Sequence, residues 1–213
     1  ASRCYLSEGF TDQFCDRVGP RTPYIPGATP DSPGSGGELE FIDSSFINIG
    51  TQQSRGFDFN FLYEHQFEVG SLTIDGILTY IDKQNYELFG TTTRQEGRWG
   101  FPRLTANTQI RYDWRDWQFG WFMDFIGESQ ETPVQFPQDR QNRTPNVLYH
   151  TLSTRYRAAD WEATLSVRNV FDKAPPYVGE GHDTTVGRDY NTLPGVGYDL
   201  FGRSYVMSLA YRF

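Results

Sequence analysis

Apolar and polar side chains alternate strictly along several segments of this chain, and a repeat of two residues is the period of a β-strand. In the last segment Tyr205, Met207, Leu209, Tyr211 and Phe213 fall on one side, and the residues between them are mostly small or polar. Six more segments alternate in the same way, at about 57–64, 72–80, 104–113, 117–125, 146–157 and 161–168. The pattern predicts seven strands, several of them close to the roughly 9–11 residues that a tilted strand needs to cross a bilayer.

The connections between these segments alternate between short and long. The joins near 67–71, 113–116 and 157–160 hold a few residues, whereas those at 83–102, 127–145 and 171–202 are much longer and carry glycine, proline and charge. A soluble β-sandwich also has alternating strands, but this asymmetry is typical of outer-membrane barrels, with tight periplasmic turns and long extracellular loops. We therefore predict an extracellular segment over 1–39 and antiparallel transmembrane barrel strands over 40–213.

Aromatic residues collect at the short-turn ends of the predicted strands. They are Tyr112, Trp114, Trp117, Tyr156, Trp161 and Tyr211. Rings with one polar atom favour the membrane interface, where barrels carry aromatic girdles. This placement agrees with a periplasmic position for the short turns.

The composition is consistent with a barrel and excludes one class of partner. The mean hydropathy is −0.60, as expected where lipid-facing and lumen-facing residues alternate. The formal charge of −8 argues against nucleic acid, which requires a basic surface. A sheet of seven strands alone would leave two edges unpaired in lipid. We expect further strands, from an upstream part of the same gene product or from a companion chain.

Four short strings resemble the C-terminal part of TonB-dependent receptor barrels. Residues 46–59 resemble the family's "Asn-x-Gly, then Arg-Gly-Phe-Asp" segment that enters a late strand, and residues 165–176 resemble its "Val-x-Asn-Val-Phe-Asp-Lys" motif before the last long loop. Residues 202–205 are similar to the Gly-Arg-x-Tyr opening of the final strand, and Phe213 to the terminal aromatic residue.

The resemblance implies a barrel of about 22 strands, of which these would be the last seven, in the outer membrane of a Gram-negative bacterium. It implies an N-terminal plug domain, coupling to TonB and energised uptake of a scarce ligand. A ferric siderophore is favoured, with an oligosaccharide or another nutrient as the other ligands considered. A passive porin or a structural outer-membrane protein is the alternative function. The alternating C-terminus, from Tyr205 to Phe213, resembles the signal read by the barrel assembly machinery, although Phe213 also suits an ordinary contact with lipid.

The two cysteines, Cys4 and Cys15, lie in the predicted extracellular segment. An exported chain passes through an oxidising compartment, so we predict a disulfide between them, with free or otherwise paired thiols as the alternative. A zinc site is not favoured, because no second cysteine pair or nearby histidine completes the ligand set.

The long loops combine aromatic rings with guanidinium groups, which suits stacking and charge-assisted binding of an anionic or aromatic ligand. We predict that the three loops converge on one external ligand site. Its candidate residues are Arg98, Trp99, Arg143, Tyr177, Arg188 and Tyr190. The alternative is that these residues only pack the loops against one another. The three histidines have no carboxylate or serine at catalytic spacing, so we predict neither an enzyme nor a metal or cofactor site.

Overall fold

The computed structural model of the protein describes residues 4, 6–19, 40–46, 48, 50–131, 143–178, 192–193 and 195–212. The chain divides into two compact units, Ala1–Ile49 and Gly50–Phe213. Among the described residues, no helix is both long enough and apolar enough to cross a membrane.

The first unit is held together by a disulfide and a short backbone bridge. Cys4 and Cys15 are joined, as the sequence predicts, with their Cα atoms 4.9 Å apart, and 3-10 turns follow at Glu8–Phe10 and Cys15–Arg17. A β-bridge pairs Val18 with Ile42. This bridge lies within the first unit, and the first strand of the second unit begins at Gly50.

An ion pair accompanies that bridge. The guanidinium Nη2 of Arg17 donates to the Asp43 carboxylate at 3.1 Å. The backbone N–H of Ser45, then the Ser45 hydroxyl and Arg17, lower the pKa of Asp43. These hydrogen bonds favour the charged form of the Asp43 carboxylate, so an ion pair accompanies the bridge between Val18 and Ile42 at neutral pH.

The second unit is one antiparallel sheet with a small ribbon beside it. Its strands are β1 (Gly50–Phe67), β2 (Gly70–Leu88), β3 (Thr91–Arg94), β4 (Leu104–Trp114), β5 (Trp117–Ile126), β6 (Ser129–Gln130), β7 (Arg143–Thr144), β8 (Val147–Arg157), β9 (Trp161–Arg168) and β10 (Ser204–Tyr211). Seven strands form a meander in the order β1-β2-β4-β5-β8-β9-β10, while β3 pairs with β2 and β6 pairs with β7. The seven strands and the all-β antiparallel class are those that the alternation predicts.

The register separates the sheet into an apolar face and a polar face. One row across the apolar face joins Ile110, Trp121, Leu152 and Val167, and the next joins Tyr112 to Phe119. Between these rows, Arg111 pairs with Gly120 on the polar face. Successive residues of a strand point to opposite faces, so the apolar set shares one surface across all seven strands.

The aromatic residues at the short turns form a continuous belt on the apolar face. The rings of Trp117 and Tyr156 lie 4.7 Å apart, and those of Tyr156 and Trp161 lie 5.4 Å apart. Tyr211 pairs with Trp161 across β9 and β10. These rings are partly exposed, which suits the interface of a membrane.

The first long connection differs from the sequence prediction. The segment 83–102 was expected to be a loop, but β2 continues to Leu88 and β3 returns along it. Beyond Tyr80, β3 replaces β4 as the partner of β2. A bulge between Arg55 and Gly56 shifts the register of β1 at the same height. Together, β1, β2 and β3 extend the sheet beyond its other strands at the long-loop end.

Candidate functional site

The described parts of the long loops meet in a buried cluster at the outer ends of β5 and β8. The cluster consists of Trp99, Ile126, Val147, Tyr149, Val178, Leu193 and Tyr198, each at most 7% exposed. Ile126 and Tyr149 lie on the polar face of the sheet, in the rows of Val147 and Asp124. The loops therefore fold inward over that face. We call this set the loop cluster.

Backbone hydrogen bonds join the first long loop to the second. The N–H of Trp99 donates to the carbonyl of Gln130 at 3.1 Å, and the N–H of Gln130 donates to the carbonyl of Gly97 at 2.9 Å. These bonds belong to an isolated parallel bridge between Arg98 and Gln130. They satisfy backbone groups beside the buried ring of Trp99.

Buried hydroxyl groups join the second loop to the third. The Oγ atoms of Ser129 and Thr144 lie 2.8 Å apart, and the hydroxyl of Tyr198 donates to Thr144 Oγ1 at 3.3 Å. Ser129 and Thr144 are 5% and 1% exposed. Because buried hydroxyl groups need partners, these contacts fix how the three loops meet.

A polar cleft of about 500 Å³ opens beside the loop cluster, between the first two long loops. The charged and amide side chains that line it are Glu96, Arg103, Glu128, Gln130, Arg143 and Asn146. Arg143 is exposed at the start of β7. We call this the loop cleft. A cleft with guanidinium and amide groups can bind an anion through charge-assisted hydrogen bonds.

Glu96 is the buried charge of the loop cleft, with a side chain 7% exposed. Its Oε2 accepts from the N–H of Gln84 at 3.1 Å, and its Oε1 lies 3.6 Å from Nη2 of Arg103. Burial raises the pKa of Glu96, but backbone hydrogen bonds and the charges of Arg103 and Arg94 outweigh it, so the pKa is lowered overall. The Glu96 carboxylate thus accepts the hydrogen bond that a neighbouring strand would otherwise accept from the N–H of Gln84 in β2.

Arg103 is positioned by the same contacts. Its Nη1 donates to the carbonyl of Asp82 at 2.9 Å, and its side chain remains 45% exposed. The carbonyl of Arg103 also accepts from the N–H of Ile81 at 2.8 Å. One edge of this guanidinium therefore holds the hairpin while the rest is accessible from the loop cleft.

The structure places the predicted ligand residues in different surroundings. Arg143 lines the loop cleft, and Arg98 lies half-buried at the bridge to Gln130. Trp99 is 2% exposed within the loop cluster, so its ring packs against protein, whereas Tyr177 is 58% exposed beside the buried Val178. The structure thus brings Arg98, Trp99 and Arg143 to one region. Arg188 and Tyr190 lie outside the described residues.

Sequence reasoning missed Glu96 and Arg103 as site residues. Arg103 lies at the end of the first long connection, directly before β4. A charged residue at the end of a strand, next to a long loop, was a signal from which Arg103 could have been predicted as a site residue.

The predicted assembly signal lies on the exposed apolar face of β10. Tyr205, Met207, Leu209 and Tyr211 are 69%, 75%, 67% and 59% exposed. Phe213 lies outside the described residues. The four described side chains are accessible to another protein or to lipid.

Comparison with known proteins identifies the family. The family described as "TonB dependent receptor-like, beta-barrel" matches residues 21–170, which is more than half of the chain. The search of curated proteins and the search of solved structures found no match. The matched residues include six of the seven meander strands, from β1 to β9. This chain therefore belongs to the TonB-dependent receptor β-barrel family of outer-membrane proteins for nutrient uptake.

Proposed function

We propose that the chain is the ligand-capturing, C-terminal part of a TonB-dependent receptor that imports a scarce nutrient across the outer membrane. The observation that carries the proposal is the meeting of three long loops at one end of the sheet, beside a polar cleft of about 500 Å³. Long loops on a rigid scaffold commonly carry recognition. The proposal gives the chain a binding role and assigns it no catalytic step, metal or cofactor.

An anionic ligand, with a ferric siderophore as the favoured class, suits the loop cleft best. Arg143 is exposed there and Arg103 is 45% exposed, so two guanidinium groups are accessible to an anion. A sugar would need an accessible ring for stacking, and Trp99, the predicted candidate nearest the cleft, is 2% exposed. Glu96 and Glu128 also line the cleft, and Arg103 is already paired with Glu96, so the proposal of an anionic ligand is supported mainly by the exposed guanidinium group of Arg143.

The family relationship supports the same set of partners that the sequence predicts. Further strands would pair with the open edges of β1 and β10, each of which pairs with one meander neighbour among the described strands. A plug domain would fill the barrel and connect to TonB. The apolar face would contact outer-membrane lipid, and the alternating residues of β10 would contact the barrel assembly machinery.

Binding measured on the complete receptor tests the proposed site. A panel of ferric siderophores is titrated against the unaltered receptor and the variant Arg143→Ala. Loss of one charge-assisted contact of about 1.5–3 kcal/mol should weaken binding by roughly tenfold or more. Arg115→Ala is the matched control, because Arg115 lies in the short turn over Trp114. The effect at Arg143 should shrink as salt rises.

The result also separates the ligand classes. Binding of an oligosaccharide that is indifferent to salt and to Arg143→Ala would reject the anionic ligand. Equal weakening by both arginine variants would reject the loop cleft as the binding site.

A further inference from the structure

A shallow hollow lies on the apolar face, across β4, β5, β8 and β9. Its volume is about 370 Å³ and its lining is almost wholly apolar. Tyr112, Phe119 and Trp121 line it beside the shorter side chains of Thr154 and Val167. The hollow shares no lining residue with the loop cleft. The apolar face of such a barrel is turned to lipid, so the hollow opens toward the membrane.

A histidine lies next to this hollow, on its long-loop side. His150 pairs with Met123, two residues beyond the pair of Trp121 and Leu152, so it belongs to the same apolar face. The indole Nε1 of Trp121 donates to Nδ1 of His150 at 3.0 Å. Because Nδ1 accepts a hydrogen bond, the neutral ring carries its proton on Nε2. Among the described residues this Nε2–H has no acceptor, and an N–H group away from water needs one.

The apolar face is shorter on β10 than on β1. On β1 it runs from Phe57 to Phe67, which is roughly 26 Å along the membrane normal for a strand tilted by about 40°. On β10 it runs from Tyr205 to Tyr211, which is roughly 16 Å by the same geometry. An apolar band of about 25 Å is usual. The outer boundary of the apolar surface therefore dips toward the short turns on the side of β10.

Exposed charged residues mark the same boundary. Just after β9, the ring of Phe171 packs edge-on against His150, with centroids 5.0 Å apart. The next residue is Asp172, whose Oδ1 accepts from the N–H of Arg203, directly before β10, at 2.8 Å. Asp172, Lys173 and Arg203 are all exposed. Charged side chains are costly in hydrocarbon, so lipid headgroups and water reach the height of His150 here.

These features match the two parts of an acylated lipid. The ester or amide carbonyl of such a lipid lies where the headgroup region meets the hydrocarbon, and its acyl chain continues into the apolar layer. At His150 the carbonyl oxygen would accept from Nε2–H, which satisfies the donor. The chain below it would fill the hollow and supply the van der Waals contacts that an empty hollow lacks.

We propose that His150 and the hollow bind one acylated lipid of the outer leaflet, through a hydrogen bond from Nε2 to a carbonyl oxygen of the lipid. The exposed charges beside the site are of both signs, so the carbonyl is the recognised group and the headgroup charge is not. The inference rests on the proposed function only for its orientation, with the long loops outside the cell. It adds one selective site to the general contact of the apolar face with lipid.

Lipid binding by the complete receptor tests the site. The purified receptor is titrated in detergent with a diacyl phosphatidylethanolamine and with its diether analogue, which lacks only the two carbonyl oxygens. Native mass spectrometry counts the bound lipids. At the first site occupied, the ester lipid should bind roughly two- to tenfold more tightly, the factor that one neutral hydrogen bond supplies. This comparison uses the unaltered receptor, so it does not depend on the folding of a variant.

A pair of histidine variants assigns the hydrogen bond. His150→Phe removes the N–H group and keeps a ring, so it should abolish the preference for the ester lipid. His65→Phe is the matched control, because His65 lies on the same apolar face at the short-turn end of β1, outside the hollow. The control should keep the preference of the unaltered receptor.

A pair of tryptophan variants assigns the hollow. Leu165 lines the hollow, whereas Leu209 lies on the apolar face of β10 outside it. Leu165→Trp should fill the hollow and weaken the binding of both lipids at this site, and Leu209→Trp should leave it unchanged. Exchange of the β4 amides reports whether each variant is folded.

Four results would overturn the inference. Equal affinity of the unaltered receptor for the two lipids would refute the hydrogen bond, and a preference retained in His150→Phe would place it elsewhere. Equal weakening by both tryptophan variants would show a general lipid layer without a site. Dimers that Leu165→Trp dissociates would assign this face to a second copy of the chain. All four leave the proposed uptake intact, whereas a receptor that prefers the ester lipid but binds no nutrient would reject the proposed function alone.

Discussion

Removal of the Trp99 ring should loosen the three long loops without unfolding the sheet. Trp99 is 2% exposed in the loop cluster, and a buried tryptophan covers about 200 Å². At about 25 cal/mol per Å² its burial contributes up to roughly 5 kcal/mol, and large-to-alanine changes in cores cost about 3–5 kcal/mol. Trp99→Ala should therefore lower the free energy of loop opening by at least about 3 kcal/mol.

Trp99→Phe is the matched control for this change. The indole Nε1 is buried without a hydrogen-bond partner among the described residues, so phenylalanine loses no hydrogen bond there. Removing an unsatisfied buried N–H can recover about 1–3 kcal/mol, which offsets part of the lost packing. We expect the phenylalanine variant to behave nearly as the unaltered protein does.

Amide hydrogen exchange distinguishes the two variants. A loss of about 3 kcal/mol corresponds to roughly 150-fold faster exchange where local opening controls the rate. The Gln130 amide, bonded to the Gly97 carbonyl, should report it, while β4 amides such as that of Ile110 should not change. Equal exchange at Gln130 in the alanine variant and the unaltered protein would refute the claim that Trp99 packing holds the loops together.

Two further changes probe the hairpin and the first unit. The pKa of Glu96 is lowered from its ordinary value near 4.5, so its contribution to stability is fully present above that value and is lost as pH falls through the lower, folded-state pKa. The protection factor of the Gln84 amide, which is corrected for the intrinsic pH dependence of exchange, should therefore fall at acid pH. Glu96→Gln should flatten this fall; a steep fall retained in that variant would show that another group causes it. Replacing Cys4 and Cys15 with serine should destabilise the first unit by about 2–4 kcal/mol, read as faster proteolysis within residues 4–19, with β4 and β5 exchange unaffected. Unchanged proteolysis would show that the bridge between Val18 and Ile42 is sufficient without the disulfide.

Sequence alternation predicted the sheet because each strand of such a barrel has one face toward lipid and the other toward the polar interior. The residues of β4 from Leu104 to Trp114 alternate so regularly that their faces follow directly, and the register agrees. The hairpin of β2 and β3 escaped prediction for the same physical reason. Residues 83–88 lie beyond the apolar face that the seven strands share and show no alternation. Their backbone pairs with β1 and, from Asn85 onward, with β3, and this pairing extends the strand.

The loop cluster could not be derived from one sequence. Trp99 shares the loop cluster with Val147 of β8 and with Val178 and Leu193 of the last long connection, and no local pattern relates such distant positions. From the sequence alone, an aromatic residue in a long loop is equally compatible with a ligand contact and with packing against other loops. Only the tertiary structure shows that the ring is buried and that the neighbouring Arg143 is accessible.

The placement of charged residues on the polar face was, by contrast, within reach of the sequence. In a meander the order of strands along the chain is also their order in space, so parity and strand number alone assign each charge to a face and a side. Asp75 and Arg168 can both be placed this way before any coordinates are known. The register adds which charges already neutralise one another, such as Glu162 between Arg155 and Arg157. Because only the remaining charges are available to a partner, ion pairing between strands determines how much charge the polar face presents.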